Sequence, residues 1–209
     1  MSPLVKVTAS FGAHHRQYAD DTYHYIFASK ETWTVSIRII EQCTNALYNW
    51  LSHNGLALDT SKCEAIQFSC IPARYTKDVS NINVTGVSIA LSPSIKSLVV
   101  ILDLHLTFND HVATVSKACY FHIRALQHIR TSLPDDITKM IASSIIRSRL
   151  EYCNSLLIDI SETNFSKFQL IENILASVVM GTGSHPYYIC SLKATQAAGQ
   201  TASILRTRV

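Results

Sequence analysis

His14-His15-Arg16-Gln17-Tyr18-Ala19-Asp20-Asp21-Thr22-Tyr23-His24-Tyr25-Ile26-Phe27 is the stretch that decides the fold. Its aromatic and β-branched residues favour extended backbone, and they flank an acidic dipeptide that reads as the tip of a hairpin. The arms are His15-Arg16-Gln17-Tyr18 and Tyr23-His24-Tyr25-Ile26-Phe27. Consecutive strand residues point to opposite faces, so Asp20 and Asp21 can face one centre only across a tight turn. Two such carboxylates repel each other and are held together most simply by divalent cations, which take oxygen ligands. An isolated Asp-Asp pair is ordinarily just a solvated turn.

Downstream of the hairpin, Trp33, Ile37, Ile40, Thr44, Leu47 and Leu51 recur at spacings of four and three. They predict an amphipathic helix, stopped by Asn54-Gly55. Short β-like runs follow at Ala65–Phe68, Ile82–Ile89 and Leu98–Leu102, with Asn, Gly and Ser-Pro punctuation between them. Beyond Asn109 the pattern is helical. Val112, Val115, Cys119, His122, Leu126 and Ile129 share one face, and Lys117, Arg124 and His128 share another. Pro134-Asp135-Asp136 reads as the first turn of a second helix, because proline is tolerated there and early acidic residues suit the helix dipole. A third helix is expected from Glu162 to Val179. The order gives an α+β fold, with an α+β part followed by an α-helical part and a boundary near residue 108.

Composition fits a packed protein. Of 209 residues, 47% are hydrophobic and 16% charged, which excludes a disordered chain. The net charge of +3 admits a nucleic-acid partner without indicating one. The 6 cysteines lie far apart, with no Cys-x-x-Cys pair, which argues for free thiols and against a zinc site or a disulfide framework. No stretch has the form of a signal peptide or is long enough to span a bilayer, so the chain reads as intracellular, with no membrane. Nothing points to a protein partner.

The stretch from Phe11 to Thr22, centred on Tyr18-Ala19-Asp20-Asp21, resembles the motif C neighbourhood of reverse transcriptases of jockey-type, LINE-like retrotransposons (elements without long terminal repeats). Four further blocks match in order. Asn49–Leu56 resembles the end of the palm helix after motif C, and Leu58-Asp59-Thr60-Ser61-Lys62-Cys63-Glu64 resembles motif D. Ser97–Asp103 with Leu106–His111 resembles the passage from palm to thumb, and Arg149–Ser155 resembles a conserved-looking thumb block reading "SRLDYCNSL". The matches cover residues 3 to 181 and are far more specific together than the Asp-Asp pair alone.

The resemblance implies an RNA-directed DNA polymerase, a nucleotidyltransferase acting on an RNA template, a DNA primer and dNTPs. It implies Mg²⁺ as cofactor, in a two-metal site with ions roughly 3.5–4 Å apart. Asp20 and Asp21 would be metal-binding carboxylates. Tyr18 would lie beneath the nucleotide or primer end, with a buried hairpin tyrosine as the rival reading. Lys62 would protonate the leaving pyrophosphate, its rival being a surface lysine before a strand. Lys117, Arg124 and His128 would follow the primer–template backbone, unless they are only a solvated helix face. Residues 1–108 would form a partial palm, 109–181 a helical thumb-like region and 182–209 a divergent, unstructured tail.

Two departures stand out. Motif A, with a further aspartate, and motif B precede motif C in the family, whereas Met1-Ser2-Pro3-Leu4 already resembles a stretch lying between motifs B and C. The chain alone is therefore expected to be inactive, with an unpaired edge on its palm sheet. An active polymerase with more chain upstream and a co-opted nucleic-acid-binding module are the alternatives. In addition, Val99 stands where the family has glycine, which suggests a decayed copy. Ala197–Thr201, with suitable codons read one base later, spells Leu-Pro-Val-Arg-Gln, as a frameshifted family block would.

Overall fold

A computed structural model describes residues 3–29, 31–69 and 80–181 in full and residues 202–208 as backbone. The protein mixes helices with small antiparallel sheets. It divides into two compact units. One comprises Met1–Lys96, Asp103–Leu106 and Ala198–Val209; the other comprises Ser97–Leu102 and Thr107–Ala197. The segment 97–102, which the sequence reading assigns to the first part, thus belongs with the helices.

The first unit opens with α1 (Pro3–Ser10), a helix that the sequence reading did not anticipate. Pro3 is its first residue, a position where the missing N–H has no partner to lose. Strands β1 (His14–Tyr18) and β2 (Asp21–Phe27) form the expected hairpin, in the register His15↔His24 and Tyr18↔Asp21. Helix α2 (Trp33–His53) buries Ile37, Ile40, Thr44, Leu47 and Leu51, the stripe that its periodicity marked out. At its end the Asn54 N–H bonds to the carbonyls of Trp50 and Leu51, and Gly55 takes φ +73°.

After a turn at Thr60–Lys62 come β3 (Glu64–Gln67), β4 (Asn81–Val84) and β5 (Val87–Ala90). Side chains of α2 secure the β4–β5 ribbon. Glu41 Oε1 accepts from the Asn83 N–H at 2.7 Å, and Asn45 Oδ1 accepts from the Thr85 N–H at 2.9 Å. Leu4, Ile40, Leu47, Leu51, Ala65 and Val84 are among the residues of this unit's core.

Strands β6 (Ser94–Ser97) and β7 (Val100–Asp103) form a ribbon joined by Leu98 and Val99. The expected strand over Leu98–Leu102 is corrected here, since its first two residues make a turn. In the second unit, α3 (Asn109–Ile129) packs on α6 (Glu162–Met180) around Cys119, Ile123, Leu126, Ile171 and Leu175. Between them, α4 (Asp135–Ile141) begins just after Pro134 and runs through a wider π-helical stretch, 142–147, into α5 (Ser148–Glu151). Ser161 caps α6 by accepting from the Asn164 N–H, and Gly181 ends it at φ +66°.

The tail departs from the expectation of an unstructured segment. Residues 182–201 lie outside the described ones, but Ala202–Arg208 forms a strand, β8. It pairs antiparallel with β2 over Asp21–Phe27 and with β3 over Glu64–Gln67, giving the sheet order β1-β2-β8-β3. Strand β8 thus fills the space between β2 and β3, while β1 and β3 are the outer strands of the sheet. An edge strand's free N–H and C=O groups accept any chain able to extend, and a seven-residue run with β-branched Ile204 and Thr207 can do so. The six cysteines include Cys43 and Cys119, both free and with thiols pushed up to about 11 by burial, which keeps them protonated and unreactive.

Candidate functional site

The turn between β1 and β2 contains only Ala19 and Asp20. A two-residue antiparallel link needs backbone of the primed turn types, which calls for left-handed φ. Ala19 supplies it with φ 52°, and the Asp20 φ is not positive. Glycine is the residue that makes this shape without a Cβ clash; alanine holds it under strain. The Gln17 side-chain amide donates to the Ala19 carbonyl at 3.1 Å and fixes the turn.

Asp20 is exposed at the tip, whereas Asp21 opens β2 and is buried, 7% accessible. The Tyr23 hydroxyl reaches Asp21 Oδ2 at 3.4 Å, a long hydrogen bond. The two carboxylates thus sit in unlike environments. Tyr18 is 65% exposed, which removes the reading of it as a buried hairpin tyrosine.

Lys62 lies in the 3₁₀ turn before β3. Its Nζ is 3.2 Å from Asp59 Oδ2, and Asp59 Oδ1 accepts from the Ser61 N–H and hydroxyl. Hydrogen bonding to Ser61 first, and then to Lys62, lowers the Asp59 pKa. Register shows where the lysine stands. Glu64 pairs with Arg206 and Asp21 pairs with Arg208, so Lys62, two residues before Glu64, is at the sheet end that carries the acidic turn. Strand β8 lies between, which separates the two backbones by about two strand spacings, roughly 10 Å.

Beneath the turn is a feature that the sequence reading missed. His15 and His24 face each other across β1 and β2, their Nδ1 atoms 3.4 Å apart and their rings buried. A two-residue turn at 19–20 makes partners of positions summing to 39, so this pairing was derivable once the turn was fixed. Burial, and then the neighbouring His15, pushes the His24 pKa down to about 3. Burial is also the main cause lowering His15. Among the described residues His15 Nε2 meets no hydrogen-bond partner of good geometry, and a looser contact with Gln17 acts against the lowering. A cavity with room for about one water adjoins His24, lined also by Leu4, Thr22, Thr44 and Leu47.

Among the described residues, no group of three or more His, Cys, Asp or Glu side chains could hold a metal ion. One exposed and one buried carboxylate do not by themselves fit a two-metal centre, which needs ligands converging from several directions.

In the second unit, Lys117, Arg124 and His128 are all exposed on α3, at spacings of seven and four that align them on one face. Among the described residues none of them enters an ion pair. No helix among the described residues is long and apolar enough to cross a membrane. No family model, curated protein or solved structure matches this chain.

Proposed function

We propose that this chain is the palm-and-thumb portion of an RNA-directed DNA polymerase of a LINE-like retrotransposon, inactive by itself. The observation that carries the reading is the five ordered sequence blocks around Tyr18-Ala19-Asp20-Asp21. The backbone at that dipeptide supports it, because strain in a two-residue turn is the kind of local irregularity that accumulates at functional sites. Asp20 and Asp21 would contribute to an Mg²⁺ site completed by a carboxylate from outside the described residues. The metal there would stabilise charge on the transferring phosphoryl group. Tyr18, exposed beside the turn, is available to a nucleotide or primer end. Lys62 at the same sheet end could approach a leaving pyrophosphate only by releasing Asp59, and its exposed pair is weak enough for that. RNA template, DNA primer and dNTPs are the corresponding partners.

The test is primer extension in two formats, with an RNA template, dNTPs and Mg²⁺. The chain alone should give no product. A chimera in which residues 3–181, carrying Val99→Gly, replace the matching segment of an active LINE-like polymerase should extend the primer. Asp20→Asn in that chimera should abolish extension. A folded chimera that extends equally well with Asp20→Asn would refute the assignment of the acidic turn.

A further inference from the structure

The exposed face of α3 carries one more residue than its three basic groups. Phe121 lies four residues after Lys117 and three before Arg124, and His128 follows four after Arg124. Spacings of four, three and four place all four on a single stripe. Phe121 is 70% exposed, more than any other large hydrophobic side chain of the described residues. Its ring does not lie down on the protein. His122 meets it edge-to-face, with centroids 5.3 Å apart and planes at 78°, which holds the ring without covering it. The opposite side of the helix is committed to the core through Cys119, Ile123 and Leu126. The only acidic residue on α3 is Asp110, about two turns before Lys117.

We infer that this stripe binds an unpaired nucleic-acid strand, with Phe121 stacking on a base and Lys117 and Arg124 holding the flanking phosphates. The inference rests on the nucleic-acid reading of the basic residues and adds to it the form of the ligand. A duplex offers a side chain its phosphates while its base faces are stacked on one another. A protruding phenyl ring between two cations therefore has nothing to engage there. An unpaired strand exposes π-faces, and stacking on an aromatic platform beside basic groups is how single strands are held without regard to sequence. From Lys117 to His128 the stripe runs about 16 Å, the reach of roughly five stacked nucleotides. Cations on both sides of Phe121, with no acid among the described residues paired to them, favour a polyanion over an apolar protein partner.

The experiment is fluorescence anisotropy with the full chain, using a short unstructured oligouridylate and an RNA–DNA hybrid of the same length over a series of salt concentrations. Phe121→Ala should weaken binding of the single strand by roughly 5- to 100-fold and leave the hybrid unchanged. Phe121→Trp should restore the loss and Phe121→Leu should not, since leucine keeps apolar bulk but has no ring. Lys117→Ala with Arg124→Ala should lower the salt slope for the single strand by about 1.4. The inference is overturned if Phe121→Ala binds the single strand as tightly as wild type, if Phe121→Leu does so, or if Phe121→Ala weakens strand and hybrid equally. Self-association lost in Phe121→Ala would instead make the stripe a contact between copies. Hybrid binding that depends on Lys117 and Arg124 but not on Phe121 would overturn the inference and leave the basic-face reading standing. Binding of neither ligand would remove both.

Discussion

Replacing Val99 by glycine should stabilise the protein, although at most positions glycine destabilises. The β6–β7 turn consists of Leu98 at φ 44° and Val99 at φ 78°. Two consecutive positive values define the type I′ shape, which ordinarily takes Asn-Gly or Asp-Gly. The chain contains its own reference. Strands β4 and β5 are joined by Thr85 at φ 53° and Gly86 at φ 84°, nearly the same geometry with glycine in the second place. Val99 is 63% exposed, so little packing is lost with its side chain. The Tyr152 hydroxyl donates to the Leu98 carbonyl at 2.7 Å and holds the turn in the strained shape. A Cβ in the left-handed region costs about 1–2 kcal/mol. Glycine gives back roughly 0.4–1 kcal/mol through the greater freedom of the unfolded chain. Val99→Gly should therefore exceed Val99→Ala by about 1 kcal/mol, reversing the usual order of the two residues. Urea denaturation of both variants, with unchanged slopes, measures the difference; on heating it corresponds to roughly 2–4 °C. If Val99→Ala proves as stable as Val99→Gly, the turn is not strained in this way.

Other expectations follow from buried polar groups. Asn164 Nδ2 donates to Asn109 Oδ1 at 2.7 Å, linking the first turns of α6 and α3, so Asn164→Ala should cost about 1–3 kcal/mol in chemical denaturation. Arg130 donates through Nε and a terminal nitrogen to the carbonyls of Val178 and Val179, capping the end of α6. Arg130→Met should lower stability by about 2 kcal/mol and speed amide exchange in the last turn of α6, whereas Asp135→Asn, at the exposed end of the same ion pair, should change little. His24 is neutral in the fold down to about pH 3, against an ordinary 6.5. The unfolded chain therefore binds the extra proton first as pH falls below 6.5, and stability drops progressively toward pH 3. Between pH 7 and pH 5 the loss from His24 should be about 2 kcal/mol, and it should vanish in a folded His24→Gln variant examined by denaturation at both pH values.

Much of this architecture was legible because it depends on periodicity. The α2 stripe follows from spacing, the hairpin arms follow from the extended-backbone preference of their residues, and α6 ends within one residue of its expected limit. Features set by backbone conformation or by distant pairing were less legible. Leu98 and Val99 read as strand residues because their propensity is that of a strand, and only the register of the flanking strands makes them a turn. Helix α1 carried proline in its favourable first position, but its short span shows no clear apolar stripe. Strand β8 could not be anticipated, since what places it is the open edge of strands more than a hundred residues earlier.

The three two-residue turns separate strain that serves a site from strain that serves nothing. Thr85-Gly86 has glycine in the second place, although β-branched Thr85 before it is strained at φ 53°, and Asn83 Oδ1 accepts from the Gly86 N–H at 2.9 Å. Leu98-Val99 has a similar backbone and the wrong residue, in an exposed turn with no titratable group. Ala19-Asp20 also has the wrong residue for its backbone, but there the distortion sets an exposed carboxylate beside a buried one at the end of a sheet. A sequence drifting without selection should accumulate poor turn residues anywhere. A sequence under selection keeps them only where the geometry is used. Under the proposed polymerase reading the two would be sorted: Val99 would stand in place of a glycine, while Ala19 would lie within the acidic motif itself. If the proposed polymerase reading holds, a poor residue at Val99 is compatible with an acidic turn whose shape is still used.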